Sequence, residues 1–205
     1  GSEMCIRDRP LSVWNLDERS EVGLFEAGIS EPGEMEALQS VIQPTIGVFT
    51  CLGDAHQENF TSYEQKCLEK LKLFKDAKVL VYDMDDARVV GCVNRSAFKG
   101  EYFAWSRQRR DVPLYIASVE KREAETVVSY IYKGKEAACS IPFIDEASLA
   151  NSVSCLAVCL HLGMSPETIA ARMAVLEPVA MRLEVKEGRS GCTCLLYTSP
   201  SPRDP

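Results

Sequence analysis

Thr45–Tyr82 reads TIGVFTCLGDAHQENFTSYEQKCLEKLKLFKDAKVLVY, and its hydrophobic period changes twice along the way. Ile46, Val48 and Phe49 run straight into a polar segment, Cys51–Phe60, that carries His56. A short apolar run bounded in this way predicts a buried strand, Thr45–Thr50, that opens into a loop. Ser62 followed by Gln65 is a capping-box pair, and Cys67, Leu68, Leu71 and Phe74 recur at helical spacing. These signals predict a helix over Ser62–Phe74, with Lys66, Lys70 and Lys72 as its charged positions. Lys78–Tyr82, KVLVY, predicts the next strand, which opens into an acidic turn of Asp83, Asp85 and Asp86. Strand, helix and strand joined by short links specify a parallel pair with a right-handed crossover.

The same pattern extends upstream. Glu21–Gly28, EVGLFEAG, predicts a short strand ending in Glu26 and a glycine, and Ser30–Gly33 a turn. Glu34–Ile42 then predicts a helix with Met35, Leu38 and Ile42 on one face, stopped by Pro44. Downstream the character changes. LYIASV, TVVSYIY and AACSIPF, within Pro113–Phe143, alternate with period two, and Lys133–Gly134 fits the turn between the last two. They predict three antiparallel strands forming a small side sheet. Helices return over Glu146–Leu162 and Ser165–Leu176, the second opened by Ser165, Pro166 and Glu167 as cap, first-turn proline and acid, before a last strand at Met181–Val185. The fold class expected is therefore α/β: a mostly parallel sheet flanked by helices, with an antiparallel side sheet.

The two ends read differently. Met4–Asp8, MCIRD, can be encoded by DNA whose reverse complement, shifted by one base and extended, encodes Cys194–Ser199, CLLYTS. The ends thus look like one DNA element in opposite orientations, and it resembles the transposase adapter of sequencing libraries. Residues 1–9 and 194–205 are expected to be adapter-derived, leaving 10–193 as the native part and a fragment of one domain. With or without the ends the net charge is -7, which argues against nucleic acid or an anionic membrane as main partner. Nine cysteines fall to seven without the ends, an odd number with no CxxC pair, as in a reducing cytoplasm. No apolar run approaches the ~20 residues that span a membrane.

In a parallel sheet the strand C-termini line one edge, where open α/β folds bind ligands. Glu26 and His56, 30 positions apart, can converge there, with Lys70 nearby. A carboxylate and an imidazole in one crevice suit a divalent cation whose shell phosphates complete. Each residue also has an ordinary structural role: a hydrogen-bonded loop histidine, a helix-dipole glutamate, a solvated lysine. No GxxxxGK[ST] loop occurs anywhere in the chain.

EAGISEPGEM (Glu26–Met35), TCLGDAHQENF (Thr50–Phe60), EKLKLF (Glu69–Phe74), ANSVSCLAVCLHLG (Ala150–Gly163) and PVAMRLE (Pro178–Glu184) are similar, in order and spacing, to the central domain of the Mur ligases. The resemblance covers nearly all of 10–193 and is strongest to the branch that handles D-Ala-D-Ala, in the form some bacteria fuse to alanine racemase. It implies a P-loop NTPase-like domain that here lacks the P-loop strand. It also implies ATP and Mg2+ as cofactors, UDP-MurNAc-tripeptide and D-Ala-D-Ala as substrates, and N- and C-terminal domains of the same chain as partners. Members form an acyl phosphate on a peptide carboxylate, and the amine of the incoming dipeptide attacks it. Residue by residue, Glu26 matches the magnesium-binding glutamate, and His56 the histidine of the second magnesium region. Lys70 matches the lysine that is carbamylated, and Asn151 and Arg182 match residues that contact the adenine nucleotide. Cys51 departs from the family's usual asparagine, and a thiol cannot replace the amide's donor and acceptor pair. The fragment by itself is expected to be inactive. Another Mur-type or folylpolyglutamate-type ligase, or a non-catalytic domain that keeps the fold, remain as alternatives.

Overall fold

The computed structural model describes residues 17–53, 56–177, 182–187 and 193–197, the last two stretches by their backbone alone. Six strands form one sheet in chain order: β1 (Ile46–Phe49), β2 (Val79–Asp83), β3 (Glu101–Ser106), β4 (Leu114–Lys121), β5 (Thr126–Tyr132) and β6 (Lys135–Ile141). β1 to β4 pair in parallel and β4 to β6 in antiparallel fashion. The helices are α1 (Glu34–Ile42), α2 (Tyr63–Lys72), α3 (Ala87–Arg95), α4 (Glu146–His161) and α5 (Pro166–Met173). Two further strands, β7 (Arg182–Glu187) and β8 (Thr193–Tyr197), form an antiparallel pair of their own, so most of β8 lies in the segment read above as adapter-derived.

β2 lies between β1 and β3, and its alternation builds both layers. Val79 and Val81 face α4 and α5 in a core that includes Phe103, Trp105, Leu114, Leu149, Val153 and Leu156. Leu80 and Tyr82 face α2 and α3, packing with Phe49, Cys67, Leu71, Val89 and Val93. A strand buried on both faces reads as the continuous apolar run VLVY rather than as an alternation. A smaller cluster of Ile29, Met35, Leu38, Phe60 and Leu73 fastens α1 to the end of α2.

The expected side sheet is continuous with the parallel one. Parallel neighbours ordinarily need a crossover of about a dozen residues, yet β3 and β4 are joined only by Arg107–Pro113. The register explains how: the ladder has two rungs, Trp105 to Leu114 and Ser106 to Tyr115. β4 starts beside the end of β3 and runs onward, so the chain steps sideways without retracing the strand. The antiparallel part therefore projects past the C-terminal edge of β1–β3.

Three elements differ from expectation. Glu21–Gly28 forms no strand and has no ladder partner among the described residues, and Leu24 is left 90% exposed. Period and composition cannot supply a neighbour, and without one the backbone is not held in a sheet. Conversely, α3 and β3 lie in a stretch with no predicted element. α3 is capped by Asp86, whose carboxylate accepts from the Arg88 and Val89 amides.

The predicted caps of α2 and α5 hold. Ser62 Oγ accepts from the Gln65 amide at 3.1 Å, while Gln65 Oε1 accepts from the Thr61 amide at 2.7 Å, one residue earlier than an ideal capping box. Ser165 Oγ accepts from the Thr168 amide at 3.2 Å. Among the described residues no helix is long and apolar enough to cross a membrane.

Candidate functional site at the strand C-termini

The C-terminal edge of the parallel strands gathers three loops: Thr50–Phe60 after β1, the acidic turn after β2, and Arg107 after β3. The first is held from below by α2. Lys70 Nζ donates to the Cys51 carbonyl at 3.2 Å and stands 5.9 Å from the centre of the Phe49 ring. One turn earlier, Lys66 Nζ donates to the Gly53 carbonyl at 2.7 Å and stands 6.0 Å from the Phe60 ring. The i, i+4 spacing on α2 places both ammonium groups on one side, beneath the same loop. Lys66, expected on the charged face, is instead only 1% exposed. Helical period alone assigns a lysine to water, but a long stem can carry its charge inward to carbonyls that the fold leaves there.

The α2 position is itself fixed by packing. Phe74, just past α2, lies over β1 so closely that a Cβ built on Gly47 would meet its ring at 2.5 Å. Burial is the main influence that holds the Lys70 ammonium below the ordinary lysine range, and the nearby Lys66 charge acts in the same direction against opposing thiols at Cys51 and Cys67. An amine so placed is neutral more often than a solvated one, which is the form that attacks CO2.

His56 is half-buried and has φ 57°, ψ 24°, left-handed values that non-glycine residues seldom adopt. Its carbonyl accepts from the Asn59 amide at 3.2 Å and closes the short 3-10 turn Gln57–Asn59. Asn59 Nδ2 in turn donates to the Ser30 carbonyl at 2.9 Å. This bond ties the chain just after His56 to the chain just after Glu26. Glu26 itself is exposed, on the Glu21–Gly28 segment before Ser30. The structure thus brings Lys70 to the root of the His56 loop and couples the Glu26 segment to it through Asn59.

Cys51 is exposed, and the atom it contributes to this arrangement is its carbonyl. A main-chain acceptor does not depend on the side chain, so the thiol in place of the family's amide leaves the Lys70 contact intact.

The next two loops interlock. Asp85 accepts from Ser106 Oγ in a short bond and from the Arg107 amide at 2.7 Å. Arg107 reaches Glu146 at the start of α4 at 3.0 Å, and Lys121 reaches the same carboxylate at 2.7 Å. Asp83 is pushed above the usual carboxylate range, chiefly by burial, with Asp85 and Asp86 adding like charge. Asn151 stands on the exposed face of α4, just over one turn past Glu146. Arg182 is on β7, but its side chain lies outside the described residues. Sequence reading missed the burial of Lys66, the Asn59 contact and the Asp85–Ser106–Arg107 network, each made between separate elements.

The donor set sets limits on a metal. Among the described residues no three His, Cys, Asp or Glu side chains gather as a metal centre. An unmodified Lys70 would repel a cation, whereas a carbamate there would supply oxygen donors at the root of the His56 loop. The residues fit a divalent cation on that condition.

Helices on both faces of a mostly parallel sheet make this an α/β domain with its candidate site at the C-terminal edge of the parallel strands. The family described as Mur ligase middle domain matches residues 9–159, and the chain belongs to it. UDP-N-acetylmuramoyl-tripeptide–D-alanyl-D-alanine ligase of Bacillus subtilis is 26% identical over 192 residues, covering 91% of this chain and 40% of that protein. The crystal structure I of MurF from Acinetobacter baumannii has a TM-score of 0.75 at 17% identity, covering 89% of this chain and 40% of the other. The MurF ligase of Thermotoga maritima in complex with ADP has a TM-score of 0.65 at 20% identity, covering 82% of this chain and 38% of that one. The chain spans about 40% of the length of the curated relative it matches over most of its own.

Proposed function

We propose that this chain is the central part of an ATP-dependent ligase that joins UDP-MurNAc-tripeptide to D-Ala-D-Ala, a step in making the cell-wall precursor in the cytoplasm. The observation that carries the reading is the pair of contacts beneath the His56 loop, where the half-buried Lys70 donates to the Cys51 carbonyl at the root of the loop. On this reading Lys70 Nζ attacks CO2, loses a proton and becomes a carbamate anion. Glu26, His56 and the Lys70 carbamate would hold magnesium, which offsets charge on the phosphoryl group in transfer. Asn151 and Arg182 would orient the nucleotide. The peptide carboxylate takes the γ-phosphoryl group of ATP as an acyl phosphate, and the dipeptide amine then displaces phosphate to form the new amide.

Residues 10–193 are taken as the ligase sequence and 1–9 and 194–205 as adapter-derived. The chain has no GxxxxGK[ST] phosphate loop, so the 205-residue chain alone should release no phosphate above background. The test is phosphate release and product formation by the longer ligase that contains this sequence, with UDP-MurNAc-tripeptide and D-Ala-D-Ala. D-Ala-D-Ala-dependent turnover is expected. Turnover with glutamate on a folate substrate instead would move the chain to the folylpolyglutamate ligases.

A further inference from the structure

Among the described residues Lys66 is the one charged side chain in the fully buried class, at 1% exposure. Burying an ammonium is costly unless polar atoms meet it, and a methionine would fill the same volume without that cost. Packing alone therefore does not account for a lysine here. What the ammonium does meet is the His56 loop at both ends: the Gly53 carbonyl at 2.7 Å on one side, and the Phe60 ring face at 6.0 Å on the other. Between these two points His56 holds a left-handed backbone, φ 57°. A non-glycine residue keeps such a conformation only where its surroundings restrain it. Asn59 supplies one restraint from the side of Ser30, and Lys66 supplies one from below.

We propose that Lys66 is a positioning residue that pins the His56 loop to α2 and so fixes where the His56 imidazole is presented. Lys70 holds the loop at Cys51, but carbamylation would replace its ammonium and alter that contact. Lys66, whose bond is to Gly53, would keep the loop in place while Lys70 changes its chemistry. The metal-related part of this inference rests on the proposed function; the pinning itself does not.

The test uses the 205-residue chain with 15N throughout and 13C-labelled histidine. In Lys66→Met the melting temperature should stay close to wild type and the amides of β4–β6 should be unchanged. Amide exchange at Leu52, Gly53 and His56–Phe60 should be faster by about tenfold or more. Mn2+, used as a paramagnetic probe, should need a concentration higher by about tenfold to broaden the His56 ring signals, the scale expected when a ligand loses its outer support. Lys66→Arg, which keeps a cationic donor, should recover part of both effects.

Unchanged loop exchange in a folded Lys66→Met variant would overturn the proposal. If Lys66→Met does not fold, Lys66→Gln, with a shorter donor, gives the same readout; failure of both to fold would assign Lys66 to general core integrity and also overturn it. If Mn2+ leaves wild-type His56 untouched while Lys66→Met still loosens the loop, the metal reading fails and the pinning role stands.

Discussion

Gly47→Ala tests how tightly α2, and with it Lys70, is seated on the sheet. A Cβ at position 47 would lie 2.5 Å from Phe74 Cδ1, 2.6 Å from Cγ and 3.1 Å from Cβ. Ordinary carbon contacts are about 3.5–4.0 Å, so the overlap with the ring is about 1 Å. Because Phe74 Cβ is also close, turning the ring about its own side-chain bonds does not clear the clash, and the turn after α2 must move. Overpacking of this kind costs about 1–3 kcal/mol. Replacing a glycine inside a strand returns about 0.5–1 kcal/mol. The net expectation is a loss of about 1–2 kcal/mol, against a total stability of about 5–15 kcal/mol for a native domain.

Urea unfolding with linear extrapolation measures it, and Phe74→Ala completes a double-mutant cycle. With the ring gone, the methyl at 47 has room, so Gly47→Ala should keep only its gain of about 0.5–1 kcal/mol in the Phe74→Ala background. A coupling of about 1–3 kcal/mol, the overpacking cost itself, is expected. A neutral single variant, or additivity within about 0.5 kcal/mol, would refute the contact.

Two smaller predictions follow from the same elements. Ser62→Ala removes the oxygen that accepts from the Gln65 amide at 3.1 Å and should cost about 1 kcal/mol in urea unfolding; no loss would mean that α2 does not depend on its cap. Asp83, raised by burial above its ordinary 3.8, binds a proton more readily folded than unfolded. Its contribution to stability is therefore full below 3.8 and lost as pH rises through the folded value. Asp83→Asn, whose side-chain oxygen still accepts from the Asp85 amide, should be more stable than wild type near neutral pH, with the advantage vanishing on acidification. A pH-independent difference between the two urea midpoints would contradict this.

The parts of the fold legible in the sequence are those specified locally. β1, α2 and β2 each carry their own period, and the Ser62 and Ser165 caps are set by neighbours three residues away. α3 had such a signal too: Asp86 as cap and Val89, Cys92 and Val93 on one face. Gly91 and the flanking charged residues obscured it. Glu21–Gly28 shows the opposite failure, since a strand-like pattern says nothing about whether a partner edge stands beside it. The joining of β4–β6 to the parallel strands depends on a two-rung ladder that no periodicity encodes.

The candidate site divides in the same way. His56 and Lys70 could be picked out because loop position and helical spacing are local, and the structure sets Lys70 against the loop. The burial of Lys66 could not, because the carbonyl it meets belongs to a different element. Asn59 reaches Ser30, 29 residues away, a contact that exists only once α1 and the loop have docked.

The most direct measurement is 13C NMR of the chain equilibrated with 13C-bicarbonate at mildly alkaline pH. A carbamate carbon resonance is expected in wild type, absent in Lys70→Ala and retained in Lys72→Ala, whose amine is an exposed partner of Glu69. No carbamate resonance in a folded wild-type chain, or one that survives Lys70→Ala, would contradict the account of this site.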